Sequence, residues 1–213
     1  MRALLSSSAL AVNFFDPWRS IDKASLGAAL QVGAPVADLR FEYVCRNYPV
    51  GPRSPNLDLL ATLANGRRVA IESKFAEPYR SPGRDAKLAA KYFKTQDGYW
   101  THVGLSKAQS VAETLRARWE YLDAAQLLKH MLGLANDGCA SVLLYLWFDT
   151  GLEDAVQHRR EIGMFAEAVR GDHLEFRALT YQEAFDALEP PSSPAGGWHD
   201  YMATRYFNVP EAV

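Results

Sequence analysis

Three residues of this sequence have side chains that together could act on a phosphate ester: Asp58, Glu72 and Lys74. Carboxylate oxygens are hard ligands that suit Mg²⁺. A divalent ion held by them neutralises phosphate charge and lowers the pKa of a bound water. An ammonium beside them can orient or deprotonate that water and stabilise charge as it develops. The backbone carbonyl of Ser73, between Glu72 and Lys74, offers a further oxygen ligand.

Such a set works only if the chain brings it to one face. Leu57–Ala64 and Arg67–Phe75 read as strands flanking Asn65-Gly66, the strongest short-range signal for a hairpin. On the first strand Leu57, Leu59, Ala61 and Leu63 are apolar; on the second, Val69, Ile71 and Phe75 are. Side chains alternate faces along a strand, so Glu72 and Lys74 share one face. Asp58 joins them if the odd positions form a single buried face. Placing Asp58 opposite Glu72 requires an odd-numbered connection. This predicts a three-residue loop, Ala64-Asn65-Gly66, with Gly66 at positive φ.

Asp58, thirteen intervening residues and then Glu72-Ser73-Lys74, on a strand that follows an Asn-Gly turn, resembles the PD-(D/E)XK nuclease superfamily. The resemblance implies an α/β fold, with a restriction-endonuclease-like mixed β-sheet (three-strand meander plus crossover strands) flanked by helices. It implies Mg²⁺-dependent hydrolysis of DNA, with Mn²⁺ able to substitute. Asp58, Glu72 and the Ser73 carbonyl would then be metal ligands and Lys74 the catalytic amine. Leu57 stands before Asp58 where the family often has proline. Some members add a Q-x-x-x-Y motif on the helix after the hairpin. Here the run is Gln126-Leu-Leu-Lys-His130, so Gln126 matches as a catalytic-site residue and His130 replaces the tyrosine. Four-residue spacing puts the two on one helix face.

The other elements follow from periodicity and punctuation. Asp22–Leu30 reads as a short helix with Asp22 as N-cap. Leu39–Cys45 alternates as a half-buried strand. A short helix is expected near Ala86–Phe93, and a long one over Leu115–Leu134 with Tyr121, Leu128 and Met131 in its apolar stripe. Ala140–Phe148 is apolar on both faces, as a central strand is. A helix over Leu152–Val169 and a strand over Leu174–Leu179 follow. Thr180-Tyr-Gln-Glu183 forms a capping box, and Pro190–Gly197 reads as a loop. The expectation is one domain over residues 1–213, its core about 22–189, with an aromatic segment at 198–207 docking on it.

Composition bounds the rest. The chain has 213 residues, 48% hydrophobic and 23% charged, with no apolar run long enough to cross a membrane. Met1–Ala11 imitates a signal peptide but is too short for one, so it reads as part of the fold. Cys45 and Cys139 read as buried thiols, and a cytoplasmic location is expected. A net charge of −2 gives no global attraction to nucleic acid, although a bound cation supplies local positive charge. Arg80, Arg84, Lys87, Lys91 and Lys94 form a basic stretch that either tracks a phosphate backbone or is a solvated face. Glu42 is either a surface carboxylate paired with Arg40 or Arg68, or a third acid of the site. Glu77 and Tyr79 either rim the site or are solvated loop residues. The expected function is a metal-dependent nuclease acting on nucleic acid, foremost DNA, with a homodimer as a possible assembly. The alternative is a catalytically silent nucleic-acid-binding or assembly module on the same fold.

Overall fold

The computed structural model describes residues 6–21, 23–51, 54–80, 88–93, 98–115, 119–188 and 197–207. Among the described residues, five strands form one sheet in the order β1-β2-β3-β4-β5. They are β1 (Val36–Val44), β2 (Asn56–Leu63), β3 (Arg68–Lys74), β4 (Val142–Trp147) and β5 (Glu175–Thr180). The first three pair antiparallel as a meander; β3–β4 and β4–β5 pair parallel. Parallel neighbours need crossovers. Helices α3 (Ser106–Glu113) and α4 (Ala124–Asp137) lie in the first crossover, and α5 (Glu153–Ala168) makes the second. This is the mixed-sheet α/β fold that the sequence implies.

Helices cover both faces. Leu60, Ala70, Leu143, Tyr145 and Trp147 pack against residues of α3, α4 and α5. Leu59, Ala61, Val69, Ile71, Leu144 and Leu146 face α1 (Ser7–Phe15), α2 (Ala24–Ala29), α6 (Tyr181–Asp186) and α7 (Trp198–Met202). The core thus reaches N-terminally beyond residue 22: Leu10, Phe14 and Phe15 are fully buried. Trp198 of the aromatic segment meets Phe14 and Trp18 edge-on, at 5.6 and 5.4 Å between centroids. No helix among the described residues is long and apolar enough to cross a membrane.

The hairpin has the predicted connection. Leu63 N donates to Arg67 O at 2.8 Å, and Thr62 pairs with Arg68. The loop is therefore Ala64-Asn65-Gly66, with Gly66 at φ 80. The capping box on α6 is present in both directions.

Three further expectations change. The helix over Leu115–Leu134 starts only at Ala124. Glu120, Tyr121 and Leu122 instead turn their N–H groups onto the buried Glu161 carboxylate, and Asp123 caps α4 through Gln126 N. Near Ala86–Phe93 the described part is a single 3₁₀ turn, Ala90–Phe93. The odd-numbered residues of the meander do not share one face. Phe41 and Leu59 pack on one core, while Tyr43 and Leu57 pack on the other. The change falls at Glu42, whose φ of 51 breaks the two-residue alternation, and at Asp58 opposite it. The Asp22 cap, most of the Pro190–Gly197 loop, and Arg84, Lys87 and Lys94 lie outside the described residues.

Gly66 tests the loop. A Cβ there meets nothing within 4 Å, so only the left-handed backbone opposes substitution. Gly66→Ala should cost ~1 kcal/mol. In thermal denaturation this lowers Tm by about 2–4 °C.

Candidate active site

Glu72 sits on the face of β3 that packs under α4, and its side chain is buried at 2% exposure. A carboxylate removed from water needs donors. Lys74 Nζ, two residues along the same face, reaches Glu72 Oε1 at 2.6 Å. Gln126 Nε2 donates to the same oxygen at 2.8 Å from the first turn of α4. One turn later His130 Nδ1 stands 3.3 Å from Oε2, but makes no hydrogen bond there. Burial, with the Lys74 charge adding to it, pushes the His130 pKa down to about 3, so the ring is neutral. The four-residue spacing read from the sequence thus delivers both side chains to one carboxylate.

Burial raises the pKa of Glu72, against the pull of Lys74. For Lys74, burial works to lower the pKa, but Glu72 and then Asp58 outweigh it and the net shift is upward. The amine is therefore a protonated ammonium.

Asp58 stands where the hairpin opens. The β2–β3 pairing ends at Leu59↔Ile71, and in the gap beyond it Ser73 N donates to Asp58 Oδ2 at 2.8 Å. Asp58 is opposite Glu72 in the continued register. The N–H and C=O of a strand residue leave by the same edge, so the Ser73 carbonyl also faces this gap. Burial first, then the nearby Glu72, lift the Asp58 pKa to about 7, although the Ser73 N–H and Lys74 oppose the rise. Glu42 lies across from Asp58 on β1 and adds to the rise. Its exposed carboxylate accepts from Asn56 Nδ2, and among the described residues neither Arg40 nor Arg68 pairs with it.

The back of the site is braced from the other face of the sheet. Ser73 Oγ is 2.7 Å from Tyr181 Oη and donates to Ser7 O at 3.2 Å. Glu77 accepts from Ser7 N at 2.6 Å and Phe75 N at 3.0 Å. These backbone donors hold its pKa below the usual range despite partial burial. Glu77 is thus a brace as well as a rim residue. Tyr79 joins a buried relay with His158 and Tyr145, each hydroxyl 3.1 Å from a ring nitrogen. Sequence reading passed over His158 and Glu161. Their signal is that two polar residues interrupt the apolar stripe of Ala155, Ile162 and Phe165 on α5.

Over residues 1–207 the chain matches the family described as Restriction Endonuclease associating with ARP. The chain belongs to this family. No curated protein and no solved structure matches it.

In a restriction endonuclease family the meeting of Asp58, Glu72 and Lys74 is where metal-assisted chemistry would be sought. Among the described residues, no group of three or more His, Cys, Asp or Glu side chains is arranged to hold a metal ion. The oxygen donors still fit Mg²⁺, which keeps several waters and is commonly bound through one or two carboxylates plus substrate phosphate. Two carboxyls raised by burial, Asp58 also by the charge of Glu72, are what a cation would relieve. Of the basic stretch, Arg80 and Lys91 are described, and neither touches these residues in an ion pair.

The Asp58 shift has a measurable consequence in EDTA. The folded state keeps the proton up to pH about 7, whereas the unfolded chain loses it near ~3.9. Stability therefore falls as pH rises from about 4 to about 7, because the native state binds more protons there. Asp58→Asn keeps an acceptor for Ser73 N–H and has nothing to ionise. Metal-free Asp58→Asn should melt above wild type at pH 8, and the two should converge below pH ~4. Equal melting temperatures at pH 8 would refute the shift.

Proposed function

We propose that the chain is a Mg²⁺-dependent phosphodiester hydrolase of the PD-(D/E)XK kind, acting on DNA. What carries the reading is one juxtaposition: the Lys74 ammonium and the Gln126 amide both bond Glu72 Oε1, next to Asp58 at the opening of the hairpin. Such a convergence of acid, acid and amine on rigid elements is what phosphodiester hydrolysis requires.

Asp58 and Glu72, with the Ser73 carbonyl, would hold the ion. When bound, it supplies positive charge to the phosphate and a more acidic water. Gln126 fixes the orientation of Glu72, and its place on the capped end of α4 keeps that geometry rigid. Lys74 begins as an ammonium because the carboxylates hold its proton. In that form it donates to developing negative charge on the phosphate oxygens. With a cation held by Glu72 and Asp58 the Lys74 pKa would fall, and the amine, having released its proton to solvent, would then be able to accept one from water. Asp58 must shed its own proton to bind a cation, so metal affinity should strengthen as pH rises through about 7.

A specific feature favours the silent-module reading as well: Glu72 Oε1 is engaged by two protein donors, and among the described residues no three-ligand cluster stands ready. Incubating the pure protein with plasmid, linear duplex, single strands and RNA, in Mg²⁺, Mn²⁺ or EDTA, decides between them. Wild type should cut with metal only. Lys74→Ala should keep metal binding and lose ~10²-fold or more of the cleavage rate. Glu72→Ala should lose both cleavage and the rise in Tm that millimolar Mg²⁺ or Mn²⁺ gives wild type. Binding without cleavage under every condition would leave the silent module standing.

A further inference from the structure

Beside Lys74 and Gln126 the surface sinks into a cleft of about 480 Å³, counting its open mouth. Trp119, Tyr121 and Tyr145 give it aromatic walls, while Glu77, Glu120 and Asp123 bring carboxylates to its lining. We propose that this cleft is a nucleobase subsite, taking one unpaired base of the strand whose phosphate lies at Lys74. The substrate is then single-stranded or frayed nucleic acid. This rests on the hydrolase reading for the position of the phosphate.

Size comes first. Even with its open mouth counted, the recess holds only about 480 Å³, room for one small flat group and not for a duplex. A base must leave its stack to enter. Charge comes second. Among the described lining residues, three carboxylates stand beside the Lys74 ammonium, a balance that disfavours a run of phosphates. Glu120 and Asp123 offer carboxylate oxygens able to accept from the exocyclic amino groups of adenine, cytosine and guanine. Tyr121 presents a half-buried ring, tilted 46° to Tyr79 at 5.8 Å between centroids, and an aromatic face stacks any base.

The walls are also fixed in advance. Glu161, fully buried, accepts from Glu120 N, Tyr121 N and Leu122 N at 2.9 Å each. Gln157 Nε2 adds a bond to Glu161 Oε1 at 3.1 Å. The Tyr121 hydroxyl donates to Asp154 at 3.0 Å. Tyr79 and Tyr145 are pinned through the two nitrogens of His158. A wall already held needs little ordering when a ligand arrives. It is this fastening that turns residues 120–122 away from the helix their sequence suggests and towards the cleft.

The test is equilibrium binding of the full chain in EDTA, read by fluorescence anisotropy. The labelled probes are a short DNA strand, the RNA strand of the same sequence, the blunt duplex, and a strand built wholly of abasic sites. Wild type and Tyr121→Phe should bind the base-bearing strands about tenfold or more tighter than the abasic one, and tighter than the duplex. Tyr121→Ala should lose most of that difference while binding the abasic strand as wild type does. Equal binding of base-bearing and abasic strands, preference for the duplex, or an unchanged preference in Tyr121→Ala would overturn the subsite. Cleavage of plasmid without base preference would sink the subsite and spare the hydrolase. Base preference with no cleavage in Mg²⁺ or Mn²⁺ would do the reverse.

Discussion

Everything near the site is arranged around a carboxylate kept out of water. Glu72 lies between a central strand and α4, where an unpaired charge would cost several kcal/mol. Its partners come from two different elements: Lys74 from its own strand, Gln126 from the helix above. Stabilising Glu72 therefore fixes how α4 sits on the sheet. The requirement also explains why α4 begins where it does, since Asp123 must cap it one residue ahead of Ala124 for Gln126 to point downward.

A second buried carboxylate solves a related problem in the next layer. Among the described residues Glu161 makes no ion pair, and it is satisfied by three consecutive backbone N–H groups. Such charge-assisted bonds are stronger than neutral ones, and here they override helix propensity in residues 120–122. One carboxylate anchors the candidate site and the other shapes the wall beside it. Together they make the space next to Lys74 a cleft with a defined floor and sides.

The opening of the hairpin connects the site to the fold as a whole. β2 and β3 stay paired to Leu59↔Ile71 and then part, and Asp58 occupies the gap. At the same level Glu42 adopts a left-handed backbone and the meander changes faces. Strained residues of this kind persist only where their surroundings hold them. The brace from Ser7, Tyr181 and Glu77 on the far face supplies that rigidity.

Local chemistry was legible in the sequence. The Asn65-Gly66 turn, the apolar run of β4 and the Thr180–Glu183 capping box depend on neighbours a few residues apart, so their signals survive without the fold. The loop length fixed the register, and with it the place of Asp58 across from Glu72, just beyond the last paired residues. The spacing of Gln126 and His130 fixed that both would face one target. What they face, and whether the site is open or covered, depends on elements far apart in the chain and was decided only by the tertiary structure. The same is true of the N-terminal helix as part of the core, the face change at Glu42 and the capture of residues 120–122 by Glu161. The physical reason is common to all of these. A residue's alternation or propensity contributes tenths of a kcal/mol to about one, whereas a buried charge that must find donors contributes several. Where the two conflict, the buried charge sets the backbone, and its partners cannot be read from the residues beside it.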